Sequence, residues 1–172
     1  TKYADHIDEK GNEYLNGTVS ASGRMRRLIH DLLAFSQVGT RTVTFRQTDL
    51  NEVVREALQD LEIIIQEKEP VIEVDELPVI EADGGLIRQL FGNVIGNSLK
   101  YSKDNEHPVI RVSAQQDGGQ VEILVTDNGI GFDEKYLPKM FTLFQRLHTN
   151  DKYKGTGLGL AIVKQLVSLQ NG

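Results

Sequence analysis

No cysteine occurs among the 172 residues, which excludes a disulfide framework and a thiolate metal site and suits a reducing, cytoplasmic compartment. No apolar run is long enough to cross a bilayer, and the opening Thr1-Lys2-Tyr3-Ala4-Asp5 lacks the character of a secretory signal. The stretch therefore reads as soluble, with no direct membrane insertion, although a parent protein could still be membrane-anchored. Positive charge is in deficit as well. Nineteen Lys and Arg stand against 25 Asp and Glu, a net charge of -6, unlike the basic surfaces that bind nucleic acid, so no nucleic-acid partner is expected. Internal repeats and low-complexity segments are missing too. What remains is ordinary for a globular protein, 39% apolar and 26% charged, in a chain long enough for one domain and an appendage.

Leu15, Thr18, Ser22, Met25, Ile29 and Leu32 recur at alternating spacings of three and four, with Leu28 and Phe35 widening the stripe. This predicts a long amphipathic helix from about residue 11 to 35, ended by Gly39-Thr40-Arg41, with Arg24, Arg26 and Arg27 in solvent. One such helix cannot bury its own stripe and should meet another, from a partner chain or from sequence outside this one. The composition shifts near residue 42, which divides a helical appendage, 1–41, from an α/β body, 42–172. In the body, residues 42–47 read as a strand. Thr48-Asp49 offers an N-cap, with Glu52 near the capping-box position, before one apolar-periodic helix from Val53 to Ile65 that Pro70 closes. Short strands are expected at 71–74 and 78–80, and Asp117-Gly118-Gly119 marks a hairpin between 108–115 and 120–126.

Three stretches carry chemistry. Val121 to Thr126 alternates, so Asp127 falls on the inward side with Val121, Ile123 and Val125. A carboxylate there needs a donor. Gly129 and Gly131 let the backbone close around something flat, and an adenine amino group fits that description, but Asn128-Gly129 is also a strong turn signal. The residues alone leave both readings open. On a helix over 85–101, at roughly 100° per residue, Asn93, Asn97 and Lys100 share a face opposite Ile87, Phe91, Val94, Ile95 and Ser98. Carboxamide oxygens suit Mg²⁺ already carried by a triphosphate, and Lys100 supplies a charge for phosphate. A plain solvated face is the alternative.

The third stretch, Gly155-Thr156-Gly157-Leu158-Gly159-Leu160, feeds the helix that follows, where free N–H groups and the helix dipole favour phosphate. A dinucleotide fingerprint would need glycine at 160, and a Walker loop would need Gly-Lys-Ser or Gly-Lys-Thr; neither is present. Residues 133–154, polar with scattered aromatics, read as a cover over the site, with Phe141 and Phe144 as anchors pinning it.

Together these stretches resemble the sensor histidine kinases. Asn93 to Ser102 resembles their N box, Asp127 to Phe132 their G1 box, Phe141 to Arg146 their F box, and Gly155 to Leu160 their G2 box, in the family's order. Phe144-Gln145-Arg146-Leu147-His148 looks most like the phytochrome-type branch. The resemblance implies an α+β Bergerat fold, a mixed sheet layered with helices, preceded by the long helix. It implies ATP and Mg²⁺ as cofactors. Asp127 would bind the adenine amino group in a pocket shaped by Gly129, Ile130 and Gly131. Asn93 and Asn97 would hold Mg²⁺ and phosphate, Lys100 would meet phosphate, and Tyr101 and Phe144 would lie at the nucleotide. Gly155, Thr156, Gly157, Leu158 and Gly159 would cradle it, and Arg146 would stabilise charge on the transferring phosphoryl group.

The resemblance also implies a homodimer through a helical hairpin, and transfer to a histidine relayed to the receiver domain of a response regulator. Residues 11–37 resemble the hairpin's second helix, so the acceptor is expected on a first helix preceding this chain, and a final sheet hairpin after Asn171-Gly172. His30-Asp31-Leu32 imitates the acceptor motif, but Ala34-Phe35-Ser36 follows where the family has Pro-Leu. His30 is therefore expected to be a polar helix position, and this stretch alone is not expected to label itself. His6 and His107 have no acceptor context, and His148 reads as a contact of the cover. A related ATPase of the gyrase, Hsp90 or mismatch-repair type would carry a catalytic carboxylate four residues before Asn97, where this chain has Asn93. A non-catalytic dimerisation module is the third reading.

Overall fold

The computed structural model describes residues 8–40, 42–104, 106–145 and 155–170. The first element, α1 (Glu9–Thr40), is longer at both ends than its apolar spacing marks. Asp8 starts it by accepting from the Gly11 N–H at 2.7 Å. Leu15, Met25, Ile29 and Leu32 remain about half exposed or more, so the stripe is uncovered along most of its length, as one helix alone requires. Near its C-terminal end, Phe35 packs against the body beside Leu86, Leu158, Ile162 and Leu166.

A short strand, β1 (Arg46–Asp49), begins four residues later than expected. The reason is local: the Thr44 N–H is taken by the Asp83 carboxylate at 3.1 Å, so the ladder with β3 (Val79–Ala82) starts only at Arg46 opposite Ala82. Asp49 then caps α2 (Leu50–Asp60), accepting from the Asn51 N–H. The single helix expected over 53–65 is two. Leu61 leaves helical geometry at φ -100° and ψ 7°, and α3 (Glu62–Lys68) follows, ending at Glu69 in the left-handed region.

The main sheet has the order β2–β4–β5, with β2 (Val71–Val74) parallel to β4 (Val109–Asp117) and β4 antiparallel to β5 (Gln120–Asp127). Gly118 and Gly119 join β4 to β5 with φ of 55° and 85°. That pair of left-handed residues is the two-residue turn whose twist matches its strands. Across the helix-facing side of this sheet lies α4 (Gly84–Lys100), capped by Asp83. Phe91, Ile95 and Leu99 from α4 meet Leu50, Val54 and Ala57 from α2 and Ile110 and Val112 from β4 in the main core. A 3-10 turn (Glu134–Tyr136), α5 (Leu137–Met140) and α6 (Gly159–Leu169) are the remaining elements among the described residues. The whole is an α+β sandwich of helices on a mixed sheet. Among the described residues no helix is long and apolar enough to cross a membrane.

Candidate functional site

A cavity of about 460 Å³ opens between α4, the end of β5 and the start of α6. Its walls bring together Asn93, Asn97, Lys100, Tyr101, Asp127, Ile130, Gly131, Gly155, Thr156, Gly157 and Gly159, from all three of the separated stretches. A second cavity, of about 480 Å³, lies between β1 and the starts of α2 and α4. Among the described residues it is lined by Asp49, Glu52, Glu56 and Asp83, with Arg46 the only basic one, which is the wrong sign for a polyphosphate.

Asp127 ends β5 opposite Ile110, which is fully buried, so it does share the helix-facing side. Its expected burial is wrong, however. The strand runs past the helical layer and leaves the residue exposed at the cavity. Nor does its carboxylate wait for a ligand to supply every donor: Ser98 Oγ donates to Oδ2 at 2.9 Å and the Gly129 N–H to Oδ1 at 2.8 Å. A carboxylate accepts at about four positions, so two protein donors aim it and leave capacity for an incoming amino group.

Asn128-Gly129 is not a hairpin turn. Asn128 Oδ1 accepts from the Val109 N–H at 2.9 Å and its Nδ2 donates to the His107 carbonyl, which stitches the chain to the start of β4. The Ile130 N–H then donates to the Tyr101 carbonyl at the end of α4. At Gly129 a Cβ would lie 2.8 Å from that same carbonyl oxygen, so only glycine lets the turn sit this close to α4. Gly129 shapes the pocket from behind and does not line it.

On α4 the face is wider than the sequence indicates. Val94 and Ser98, expected on the opposite side, line the cavity beside Asn93 and Asn97. Ser98 is a contributor that sequence reasoning missed, because its helical position falls among Ile87 and Phe91. Asn93 Nδ2 donates to the Gln89 carbonyl at 2.8 Å, which fixes the amide and turns Oδ1 toward α6, where a Cβ on Gly159 would be 3.3 Å from it. Lys100 Nζ sits 3.0 Å from the Tyr101 hydroxyl and 4.5 Å over that ring. A Cβ at Gly155 would overlap this ammonium, so the glycine loop closes directly onto it.

The loop leads into α6, whose first turn has no side-chain cap and whose first two residues, Gly159 and Leu160, line the cavity, where free N–H groups favour an anion. Gly157 has φ 75°, and a Cβ there would meet the Gln145 carbonyl oxygen at 2.8 Å. Leu158, expected at the nucleotide, is instead fully buried with Leu86, Ile162 and Leu166 and anchors the loop from beneath. Phe141 and Phe144 are 41% and 56% exposed, so neither is the apolar anchor expected. Phe144 does not line the cavity; its backbone, at φ 62°, lies against Gly157. Arg146 and His148 lie outside the described residues, as do His6, residues 147–154 and Asn171-Gly172, and nothing is described of the His30 side chain.

Among the described residues no group of three or more His, Cys, Asp or Glu side chains is placed to hold a metal. The Asn93 and Asn97 oxygens are neutral and two in number, which suits a cation that brings phosphate and water ligands with it rather than one caged by protein.

A protein-family model described as the histidine kinase-, DNA gyrase B- and HSP90-like ATPases matches residues 82–172. Over 171 residues the chain is 36% identical to Phytochrome-like protein Cph1 of Synechocystis sp., covering 99% of this chain and 23% of that protein. It is 37% identical, also over 171 residues, to Cyanobacterial phytochrome A of Nostoc sp., covering 99% and 22%. The chain thus spans less than a quarter of the length of these curated relatives. The crystal structure of full-length ShkA in complex with AMPPNP is similar over 94% of this chain and 34% of that one, with a TM-score of 0.71 at 26% identity.

Proposed function

The chain belongs to the histidine kinase-, DNA gyrase B- and HSP90-like ATPases, and from that membership we propose that it is the ATP-binding catalytic part of a sensor histidine kinase, one of phytochrome type. The observation that carries this reading is that one cavity is lined together by the Asp127 carboxylate, the Lys100 ammonium, the Asn93 and Asn97 carboxamides and the glycine loop. Asp127, aimed by Ser98 and Gly129, takes the adenine amino group. Tyr101, Ile130 and Gly131 line the cavity near it. Lys100 and the N–H groups of the loop and of α6 hold the phosphates. Asn93 and Asn97 would hold Mg²⁺, which when bound would supply charge neutralisation at the phosphates. Arg146 is assigned to charge stabilisation by its motif position alone.

In the reaction, an imidazole nitrogen forms a bond to the γ-phosphorus as the bond from that phosphorus to the β,γ-bridging oxygen breaks, and ADP leaves. Little covalent work falls to the protein in such a transfer; positioning and charge compensation dominate. The acceptor is proposed to be a histidine on the hairpin to which α1 contributes the second helix, with residues 1–41 in that unit and 42–172 in the catalytic one. The open stripe of Leu15, Met25, Ile29 and Leu32 supports a homodimer through the hairpin. A response-regulator receiver domain as the next acceptor, and a cytoplasmic location, complete the proposal. Hydrolysis should be slow, because Asn93 stands where an ATPase base would be and cannot take a proton. The test is label transfer from γ-labelled ATP to a separately supplied hairpin, with and without its histidine. Transfer should need the histidine, and rapid phosphate release without it would favour the ATPase reading.

A further inference from the structure

One carboxylate in the cavity belongs to neither the catalytic motifs nor the body. Asp31, half-buried on α1, lines the cavity among the glycine-loop residues. Its Oδ2 accepts a hydrogen bond from Thr156 Oγ1 at 2.5 Å, across 125 residues of sequence. Such a short contact to a charged acceptor is of the stronger kind. The contact is also supported from one side. Phe35, one turn beyond Asp31 on α1, packs in the cluster that buries Leu158, two residues beyond Thr156. The pair Asp31 and Phe35 thus meets the pair Thr156 and Leu158, and the long helix is fastened to the phosphate loop at two points.

We propose that Asp31 determines specificity for the nucleotide's phosphate tail, its carboxylate occupying the place against Thr156 that a phosphate oxygen takes when nucleotide binds. The inference rests on the nucleotide reading above. Carboxylate and phosphate are both acceptor-only anions, so they compete for the same hydroxyl and repel one another in the same confined space. The competition grows with the charge of the tail: adenosine does not meet it, ADP meets part of it, and ATP all of it. Binding of ATP therefore opens the contact between α1 and the loop, and by reciprocity a shift of α1 away from the loop raises the affinity for ATP. Asp31 acts here as a positioning residue, through Thr156.

The measurement is titration calorimetry of the whole chain with adenosine, ADP and ATP, on the parent protein, Asp31→Asn and Asp31→Ala. Asp31→Asn keeps an acceptor for Thr156 and removes the charge. It is expected to raise ATP affinity about tenfold, ADP affinity less, and adenosine affinity not at all. An ATP affinity unchanged in Asp31→Asn but altered in Asp31→Ala would mean that only the hydrogen bond matters and would overturn the inference, as would an equal change for all three ligands. Hydrogen exchange supplies the reciprocal readout. In the parent protein, ATP but not adenosine should speed exchange of α1 amides around Asp31; equal protection with either ligand contradicts the proposal. If the parent protein binds none of the three, the nucleotide reading itself fails, whereas normal binding with an indifferent Asp31→Asn overturns this inference alone.

Discussion

Ser98 Oγ lies 2.9 Å from Asp127 Oδ2, joining the helix that carries the carboxamides to the strand that carries the carboxylate. The hydroxyl has one proton, and its other acceptor, the Val94 carbonyl at 3.3 Å, is the poorer one. Ser98 therefore sets the rotation of the carboxylate. Ser98→Ala should weaken ADP and adenosine alike by about 0.5–1.5 kcal/mol, the net worth of such a bond. Titration of both ligands checks this, and an effect on ADP alone would place Ser98 elsewhere in the mechanism.

Gly157→Ala tests the loop. Its left-handed backbone disfavours any L side chain by roughly 1–2 kcal/mol, and the new Cβ would meet the Gln145 carbonyl oxygen. Loop closure over phosphate should suffer, with ATP affinity falling at least about fivefold. The melting temperature should fall only slightly, because the main core around Phe91 and Ile95 lies elsewhere. A large loss of melting temperature with unchanged affinity would reverse that assignment.

Asn93→Ala should reduce the gain in ATP affinity that Mg²⁺ provides while leaving adenosine binding intact. Removing one neutral oxygen from a shared coordination shell gives this pattern. The comparison is ATP titrated with Mg²⁺ and with chelator. An equal loss in both conditions would assign Asn93 to phosphate rather than to the ion.

Acid stability gives a prediction remote from the site. Arg88 makes a two-bond clasp to Asp60 between α2 and α4, and this guanidinium holds the Asp60 carboxyl below the usual carboxylate range. The clasp's contribution is present above the unfolded-state value of about 3.9 and is lost as pH falls through the lower folded value. Both groups face solvent, with side chains 40% and 53% exposed, so the effect is small. Asp60→Asn should melt slightly earlier than the parent at pH 7 and together with it at the acid end of the range. A gap that widens on acidification contradicts the assignment.

Much of this architecture was legible in order and spacing. The hairpin at Gly118-Gly119, the capped start of α2 and the three converging stretches each had a local signal. What failed did so because tertiary contacts decide it. Asp83 takes the Thr44 N–H and delays β1. The break at Leu61 has no proline or glycine to mark it. Periodicity gave α4 its polar face but could not show where β5 meets its edge, so Val94 and Ser98 were assigned to the wrong side. Leu158 looked like loop and is core, since a glycine-rich motif does not reveal which of its residues points down. Asp31 carried no signal at all, because only the fold brings position 31 to position 156.

The central claim is that Asp127 grips the base of a purine nucleotide in the same cavity where Asn93 and Asn97 meet its metal and phosphates. It is tested most directly by titrating the chain with ADP and Mg²⁺, in parallel with Asp127→Ala. Losing a charge-assisted hydrogen bond should weaken binding by roughly 1.5–3 kcal/mol, on the order of ten- to a hundredfold. An affinity equal in the two proteins would contradict the account.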